Sequence, residues 1–419
     1  MISMQDLREN PAAYKADCEK RHKPQLAALV DEVLKLDENW KEHKKKTDDL
    51  RAERNKISKD INTQKKAGGD VEALLQKAKD IPAQIQQIEQ VQNDLHEKIN
   101  VILRKLPNLM HESVPEGKTE ADNPEIRKWG KPKKGKGENH GEWAEAHGLA
   151  DFDTAAKVSG AGFNYLKEEL ALLDISLQRY AIDFMRKQDF KLMEVPMMLR
   201  QDAYAATTPM EDFEDVMYSV GKEHYLIATA EHPLMAQFWN KTVSGNELPL
   251  KIVGVSPAWR KEIGSRGVDT KGLFRMHQFN KVEQIVVCKP DESYDWFEKM
   301  QGYTEEMVKE LGIPYRVIEI CSGDLSIKNA KQYDIEAWFP RQDKYAEITS
   351  ASNCTTWQAQ RLNFKASMNN QKITPHTLNN TALATSRIMV AILENFQNKD
   401  GKVDIPKCLH KYTGFKQMG

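Results

Sequence analysis

The stretch from Val255 to Val287 gathers side chains that can meet phosphate and stack on a planar ring. Ser256-Pro257-Ala258-Trp259-Arg260-Lys261-Glu262 reads as a strand, Gly264 to Gly272 as a loop rich in glycine and cations, and Leu273 to Val287 as a returning strand. At period two, one face of the return carries Arg275, His277, Phe279, Lys281 and Glu283, and the other carries Phe274, Met276, Gln278, Asn280 and Val282. A single alternating strand is usually a solvent-facing sheet surface. Here Arg260 and Glu262 share a face of the neighbouring strand, so the pair together reads as a platform for a polyanion with a planar base. Guanidinium groups would meet its phosphates, and Phe279 would stack on the base.

Two further clusters carry oxygen and cation chemistry. Glu347-Ile348-Thr349-Ser350-Ala351-Ser352-Asn353 sets a carboxylate and a hydroxyl three residues apart, a donor set that suits Mg²⁺ shared with substrate phosphates. Downstream, Thr377 to Arg387 leads into a helix with an apolar stripe of Ile388, Met389, Ile392, Leu393 and Phe396. Arg387 near that helix start reads as a surface arginine unless a phosphate offsets the cost of placing it beside the core.

These groups need a scaffold. From Tyr165 to Met185 apolar residues recur at helical spacing, followed by a short strand from Phe190 that ends at Pro196. The first 110 residues are of another kind. Leu29, Val33, Leu36, Trp40, His43, Thr47, Leu50, Arg54, Ile57 and Ile61 alternate steps of four and three, as do Val71, Leu74, Ala78, Ile81, Ile85, Ile88, Gln92, Leu95, Ile99, Ile102 and Leu106. Two heptad seams separated by a glycine turn near 67–70 predict an antiparallel helical hairpin, with a bend at Pro82. Between Lys44 and Lys66 the arm carries nine basic residues (Lys44, Lys45, Lys46, Arg51, Arg54, Lys56, Lys59, Lys65, Lys66) against four acidic ones. A solvated coiled-coil surface explains such a run by itself; a lever presenting cations to an RNA backbone is the functional reading. Residues 111–142, with Pro115, Pro124 and the Lys131–Gly137 stretch, read as an irregular connector, and a second domain is expected over 143–419.

The 419 residues carry 61 basic and 62 acidic side chains, so any contact with nucleic acid must come from a local patch. No apolar run approaches the ~20 residues of a membrane span, and MISMQDLREN lacks the apolar core of a signal peptide. Cys18, Cys288, Cys321, Cys354 and Cys408 show no paired spacing, which argues against disulfides and a cysteine zinc site. A cytoplasmic protein without membrane attachment is the expectation.

The order of these segments resembles the seryl-tRNA synthetases over nearly the whole chain. The arm followed by a catalytic domain is that family's layout. The segment ending at Pro196, Trp259-Arg260-Lys261-Glu262 with Arg275-Met276-His277-Gln278-Phe279, and Arg387 in its helix are similar to the three class II synthetase motifs. Thr229-Ala230-Glu231, Phe279 to Glu283 and Glu347-Ile348-Thr349-Ser350 resemble elements of the seryl branch. The resemblance implies an α+β chain: a coiled-coil arm for tRNA, then an antiparallel sheet flanked by helices, paired as a homodimer through the Tyr165–Pro196 region. It implies ATP-dependent activation of L-serine and its transfer to serine tRNA with a long variable arm, selenocysteine tRNA being a further candidate acceptor. Arg260, Lys261, Glu262, Met276, His277, Gln278, Phe279, Glu347, Ile348, Thr349, Ser350 and Arg387 would then surround ATP. Arg260, Glu347 and Arg387 would be catalytic, with Mg²⁺ on Glu347 and Ser350. Thr229, Ala230, Glu231, Arg260, Glu283 and Thr381 would surround serine, and the arm cations other than Lys46 would contact tRNA.

Asp189 departs from the family's glycine, Gly162 from a frequent arginine, Gln360 from an arginine, Asn380 from a small residue and Ala351 from a frequent cysteine. None carries an assigned contact. Two other classes stand beside this reading: a non-catalytic paralogue that binds RNA or protein, and a ligase that loads a carrier protein. Loss of Arg260, Glu283, Glu347 or Arg387 would favour the first and a missing arm the second, and all are present.

Overall fold

The computed structural model describes residues 1–135, 137–210, 214–262, 272–369 and 371–419. The loop expected from Gly264 to Gly272 lies, apart from Gly272, outside the described residues. The chain divides into two compact units, Met1–Pro107 and Asn108–Gly419.

In the first unit, two short helices precede α1 (Gln25–Lys66) and α2 (Glu72–Lys105). Both long helices are rich in Lys, Glu, Ala, Leu and Gln, which lose little side-chain freedom on coiling. At ~1.5 Å per residue they extend roughly 60 and 50 Å. Gly68 takes φ +73 at the reversal between them, a conformation open to glycine. Val33, Thr47, Ile57, Ile81, Ile85, Leu95, Ile99 and Ile102 are buried along the seam. Gln92 Nε2 donates to Thr47 Oγ1 at 2.9 Å, a polar rung that pins the register. Arg54 departs from the expected seam: it is exposed, because its long stem can carry the charge out to water. Pro82 lies inside α2, which does not restart there.

The second unit is built on an eight-stranded sheet. In chain order its elements are β1 (Glu125–Trp129), α3 (Glu168–Lys187), β2 (Lys191–Glu194), α4 (Glu231–Ala236), β3 (Leu250–Trp259), β4 (Gln278–Cys288), α5 (Ser293–Glu310), β5 (Tyr315–Glu319), β6 (Lys331–Phe339), β7 (Lys344–Asn353), β8 (His376–Ala384) and α6 (Thr385–Asn395). The strands lie in the order β1-β5-β6-β7-β8-β4-β3-β2, and every neighbouring pair is antiparallel except β2 with β3. Alternation along β4 splits the core in two. Val282, Val286 and Cys288 pack with α3 and α6, while Ile285 and Val287 pack with Leu234 and Met235 of α4.

Several sequence expectations shift. The return strand begins at Gln278 rather than Leu273; ahead of it the Leu273 N–H is taken by the buried His140 ring and the His277 N–H by the Gly162 carbonyl. Residues 376–384 form a full sheet strand, not only a lead into the helix that carries Arg387. The connector is not a separate linker. Its backbone bonds to the sheet at Pro115 and Pro124, and β1 adds an edge strand. The docking starts at once: the buried Asn108 amide donates to the carbonyls of Lys328 (3.1 Å) and Cys354 (2.9 Å). Two family departures gain a backbone account. Asp189 takes φ +61, so glycine would relax it, and a Cβ at Gly162 (φ +86) would collide with the His277 ring. No helix among the described residues is long and apolar enough to cross a membrane.

Candidate active site

Register places the first group of side chains. Phe279, Lys281 and Glu283 project from one face of β4, and Glu283 pairs directly with Thr381 on β8 across an irregularity between Val282 and Glu283. On the other side Glu283 pairs with Gly254 of β3. A Cβ at Gly254 would come within 2.7 Å of Leu234, so the missing side chain lets α4 settle on the sheet and brings Glu231 to this face. Arg260 follows β3, with its N–H on the His277 carbonyl and its guanidinium 5.3 Å from the Phe279 ring centroid. Glu262 pairs with Arg275 at 3.5 Å. The Lys261 ammonium sits 5.8 Å over Tyr218, whose hydroxyl bonds the His277 ring.

A second irregularity does comparable work on the neighbouring strands. Asp334 pairs with Ser350 and Glu336 with Glu347, leaving Ile348 as an extra residue on β7. Residues three apart on a regular strand face opposite ways; the bulge returns Glu347 to the face of Ser350 and Asp334. Gln332 Nε2 spans Asp334 Oδ1 (3.0 Å) and Ser350 Oγ (3.1 Å). From the first turn of α6, Arg387 Nη1 bonds the Glu347 carbonyl and lies 3.4 Å from its carboxylate.

The electrostatics are those of a site awaiting charged ligands. Lys281 Nζ is 2.7 Å from Glu283 and 3.2 Å from Thr229 Oγ1. Lys328 Nζ is 2.6 Å from Glu231. Burial opposes charge on Glu231, yet the Lys328 and Lys281 ammonium groups outweigh it and hold the carboxyl below its usual range. For Glu283 burial wins: together with the Glu231 charge it raises the carboxyl despite Lys281. Burial and the Glu347 charge push Asp334 up to about 8. Burial and the surrounding cations hold His232 neutral, at about 3.

The same division appears in relatives. Residues 1–110 match the seryl-tRNA synthetase N-terminal domain, and residues 213–396 match the tRNA synthetase class II core domain (G, H, P, S and T). The serine–tRNA ligase of Methanoculleus marisnigri is 45% identical over 418 residues, covering 98% of each chain. That of Pyrococcus horikoshii is 47% identical over 443 residues, covering 100% of this chain and 97% of its own. The chain belongs to the seryl-tRNA synthetase family. A crystal structure of the P. horikoshii synthetase complexed with ATP superposes with a TM-score of 0.94 at 46% identity, covering 100% and 99% of the two chains. The cytoplasmic serine–tRNA ligase of Naegleria fowleri, in complex with AMP, gives 0.86 at 32% identity, covering 97% and 95%.

Not every residue singled out from the sequence joins this surface through its side chain. Met276 and Ile348 are in the core, and Thr349 and Ala230 are buried. Met276 and Gln278 line a cavity of about 200 Å³ with Asp174 and Asn280. Conversely, Lys328, Gln358 and Asp334 were not singled out, and Lys328 in particular reads as a surface-loop lysine. The charged alternation of Lys331-Gln332-Tyr333-Asp334 was the one available signal for Asp334.

His140 was also missed. Its Nδ1 lies 3.0 Å from Glu394 of α6, and its Nε2 accepts the Leu273 N–H at 3.1 Å. It ties the segment entering β4 to the helix that carries Arg387. His140→Phe keeps the ring volume and leaves the Leu273 N–H and the Glu394 carboxylate without a partner. A stability loss of roughly 2–4 kcal/mol is expected, read as a lower urea midpoint with an unchanged m-value.

Proposed function

We propose that the second unit joins L-serine to ATP and passes the seryl group to serine tRNA. The observation that carries this reading is the shared face of Arg260, Phe279, Lys281, Glu283, Thr381 and Glu231, a buried, doubly acidic pocket beside a stacked arginine and ring. In the first step a serine carboxylate oxygen bonds to the α-phosphorus as the bond to pyrophosphate breaks. In the second, a ribose hydroxyl of the terminal adenosine replaces AMP at the seryl carbonyl. The substrate supplies its own nucleophile, so alignment and charge stabilisation suffice. Arg260 would meet the α-phosphate and serine carboxylate, Phe279 the adenine ring, Glu262 its amino group and Arg387 the terminal phosphate. Lys261, His277 and the backbone of Met276, Gln278, Ile348 and Thr349 would frame the nucleotide. Thr229, Glu231, Glu283 and Thr381 would take the serine, with the Ala230 backbone beside them. A site built to bond the serine hydroxyl leaves its own groups unpaired with alanine, which is worth up to ~10⁴-fold.

Mg²⁺ fits the Glu347–Ser350 surface, because the charges of Glu347 and the buried Asp334 oppose each other there, with Arg387 the cation at 3.4 Å from Glu347. Glu347 and Ser350 would hold it, and substrate phosphates would complete an oxygen shell that the protein alone leaves short. When bound, the ion would neutralise phosphate charge.

Serine-dependent exchange of pyrophosphate into ATP, followed by charging of serine tRNA, tests the reaction. No exchange refutes it, and exchange without charging points to another acceptor. Arg387→Ala should lower exchange at least ~100-fold with the folded state retained, since a charge-stabilising group is lost; normal exchange would remove its role.

The arm supports the tRNA part. Lys44 and Arg51 are tied to Asp48 and Glu89, while Lys45, Arg54, Lys56, Lys59, Lys65 and Lys66 are exposed, without an ion-pair partner among the described residues. Replacing these exposed cations by glutamine should leave exchange intact, raise the KM for tRNA and flatten its dependence on salt. An unchanged salt slope would assign the contacts elsewhere.

Homodimerisation is supported by apolar side chains left uncovered among the described residues: Leu172 and Ile175 on α3 are 40% and 60% exposed, and Leu192, Met197 and Met198 along and after the edge strand β2 are also exposed. Ile175→Glu should shift sedimentation from dimer toward monomer; a dimer of unchanged affinity would place the interface elsewhere.

A further inference from the structure

Two buried carboxylates on one pocket wall repel each other, and burial favours protonation of both. Glu283 has Lys281 as its neighbour on the same strand. Glu231 relies on a group from a different part of the chain, Lys328, in the segment between β5 and β6. Lys328 is buried, and burial works against its charge, but Glu231 more than compensates. Gln358 Nε2 also donates to Glu231, at 2.7 Å, and its own Oε1 is fixed by the Thr377 hydroxyl. Both donors converge on the same atom, Oε1 of Glu231. Among the described residues no hydrogen bond reaches Oε2.

We propose that Lys328 is a positioning residue for the amino-acid substrate: by holding Oε1 of Glu231 it keeps that carboxylate ionised and leaves Oε2 for the substrate ammonium group. This role rests on the assignment of the pocket to serine. Lys328 and Glu231 form a pair without net charge, so the Glu231 carboxylate is buried without an uncompensated charge before the substrate enters. Asn108 holds the Lys328 carbonyl, and Asn329 Nδ2 bonds Ser352 Oγ (3.0 Å) and Gln332 Oε1 (2.7 Å), so the lysine is set from one side by the segment after α2 and from the other by the sheet. A purely structural ion pair would need neither the convergence on one oxygen nor the open second one.

Pyrophosphate exchange in the full-length protein tests this, with KM measured separately for serine and ATP. Lys328→Met should raise the serine KM by roughly 10- to 100-fold while the ATP KM changes less than about twofold, and Lys328→Arg should recover most of the loss. A serine KM within about twofold of the unaltered protein, or equal losses for both substrates in a folded variant, would overturn the proposal. If Lys328→Met does not fold, the double variant Glu231→Gln with Lys328→Met removes both charges together. Its serine KM should equal that of Glu231→Gln alone, since Lys328 acts only through Glu231; a further, additive loss would refute the role. Absence of exchange in the unaltered protein would refute the serine assignment itself, and this role with it.

Discussion

The second unit depends on setting the charge of carboxylates where water is excluded: Glu231 is held ionised, while burial raises Glu283. Glu231 and Glu283 sit under one face of the sheet, and each has a lysine at 2.6 or 2.7 Å. Such pairs add little to folding, because desolvation consumes most of the Coulombic gain. Their presence is better explained by the ligand. A pocket that must receive an ammonium and a hydroxyl needs fixed acceptors, and fixed acceptors in low dielectric need fixed cations.

Strand register supplies that fixity. A regular ladder would put Glu347 and Ser350 on opposite faces; the extra residue at Ile348 brings them together and turns Asp334 toward them. The irregularity beside Glu283 lets it face Thr381 while β8 carries on into α6, so Arg387 reaches Glu347 from the helix that follows the strand of Thr381. Gly254 plays the complementary part, omitting a side chain so that the helix of Glu231 can lie on the strand next to Glu283. The two ligand surfaces are thus coupled by backbone geometry rather than by long flexible side chains.

How much of this was legible in the sequence follows from the range of each interaction. The arm was readable because a heptad seam is a local, repeated pattern; Val33, Thr47, Ile57, Ile85 and Leu95 are buried as their spacing requires. The alternation of Phe279, Lys281 and Glu283 was readable for the same reason. Arg54 was misplaced because periodicity cannot distinguish a seam position from one whose side chain can swing out. The start of β4 was misplaced because partners more than a hundred residues earlier, His140 and the Gly162 carbonyl, take the N–H groups of Leu273 and His277 ahead of it. Lys328 and Gln358 left no local trace, since their meaning arises only when three distant segments converge on one carboxylate oxygen.

The same sheet explains why binding and self-association need not interfere. Alternation along β4 sends Lys281 and Glu283 to one side and Val282 and Val286 to the side of α3. The apolar residues exposed on α3 and β2 lie with the second set, so a partner covering them would load the back of the strands that carry Glu283 and Thr381. Asn280 makes that connection specific. Its side-chain amide donates to the buried Asp174 of α3 at 2.7 Å, and its carbonyl accepts from Thr385 at the start of the Arg387 helix. Pressure on α3 is therefore transmitted through a hydrogen-bonded residue that lies between Phe279 and Lys281. A dimer contact there would stiffen the strand that carries Phe279, Lys281 and Glu283 without approaching their face of the sheet.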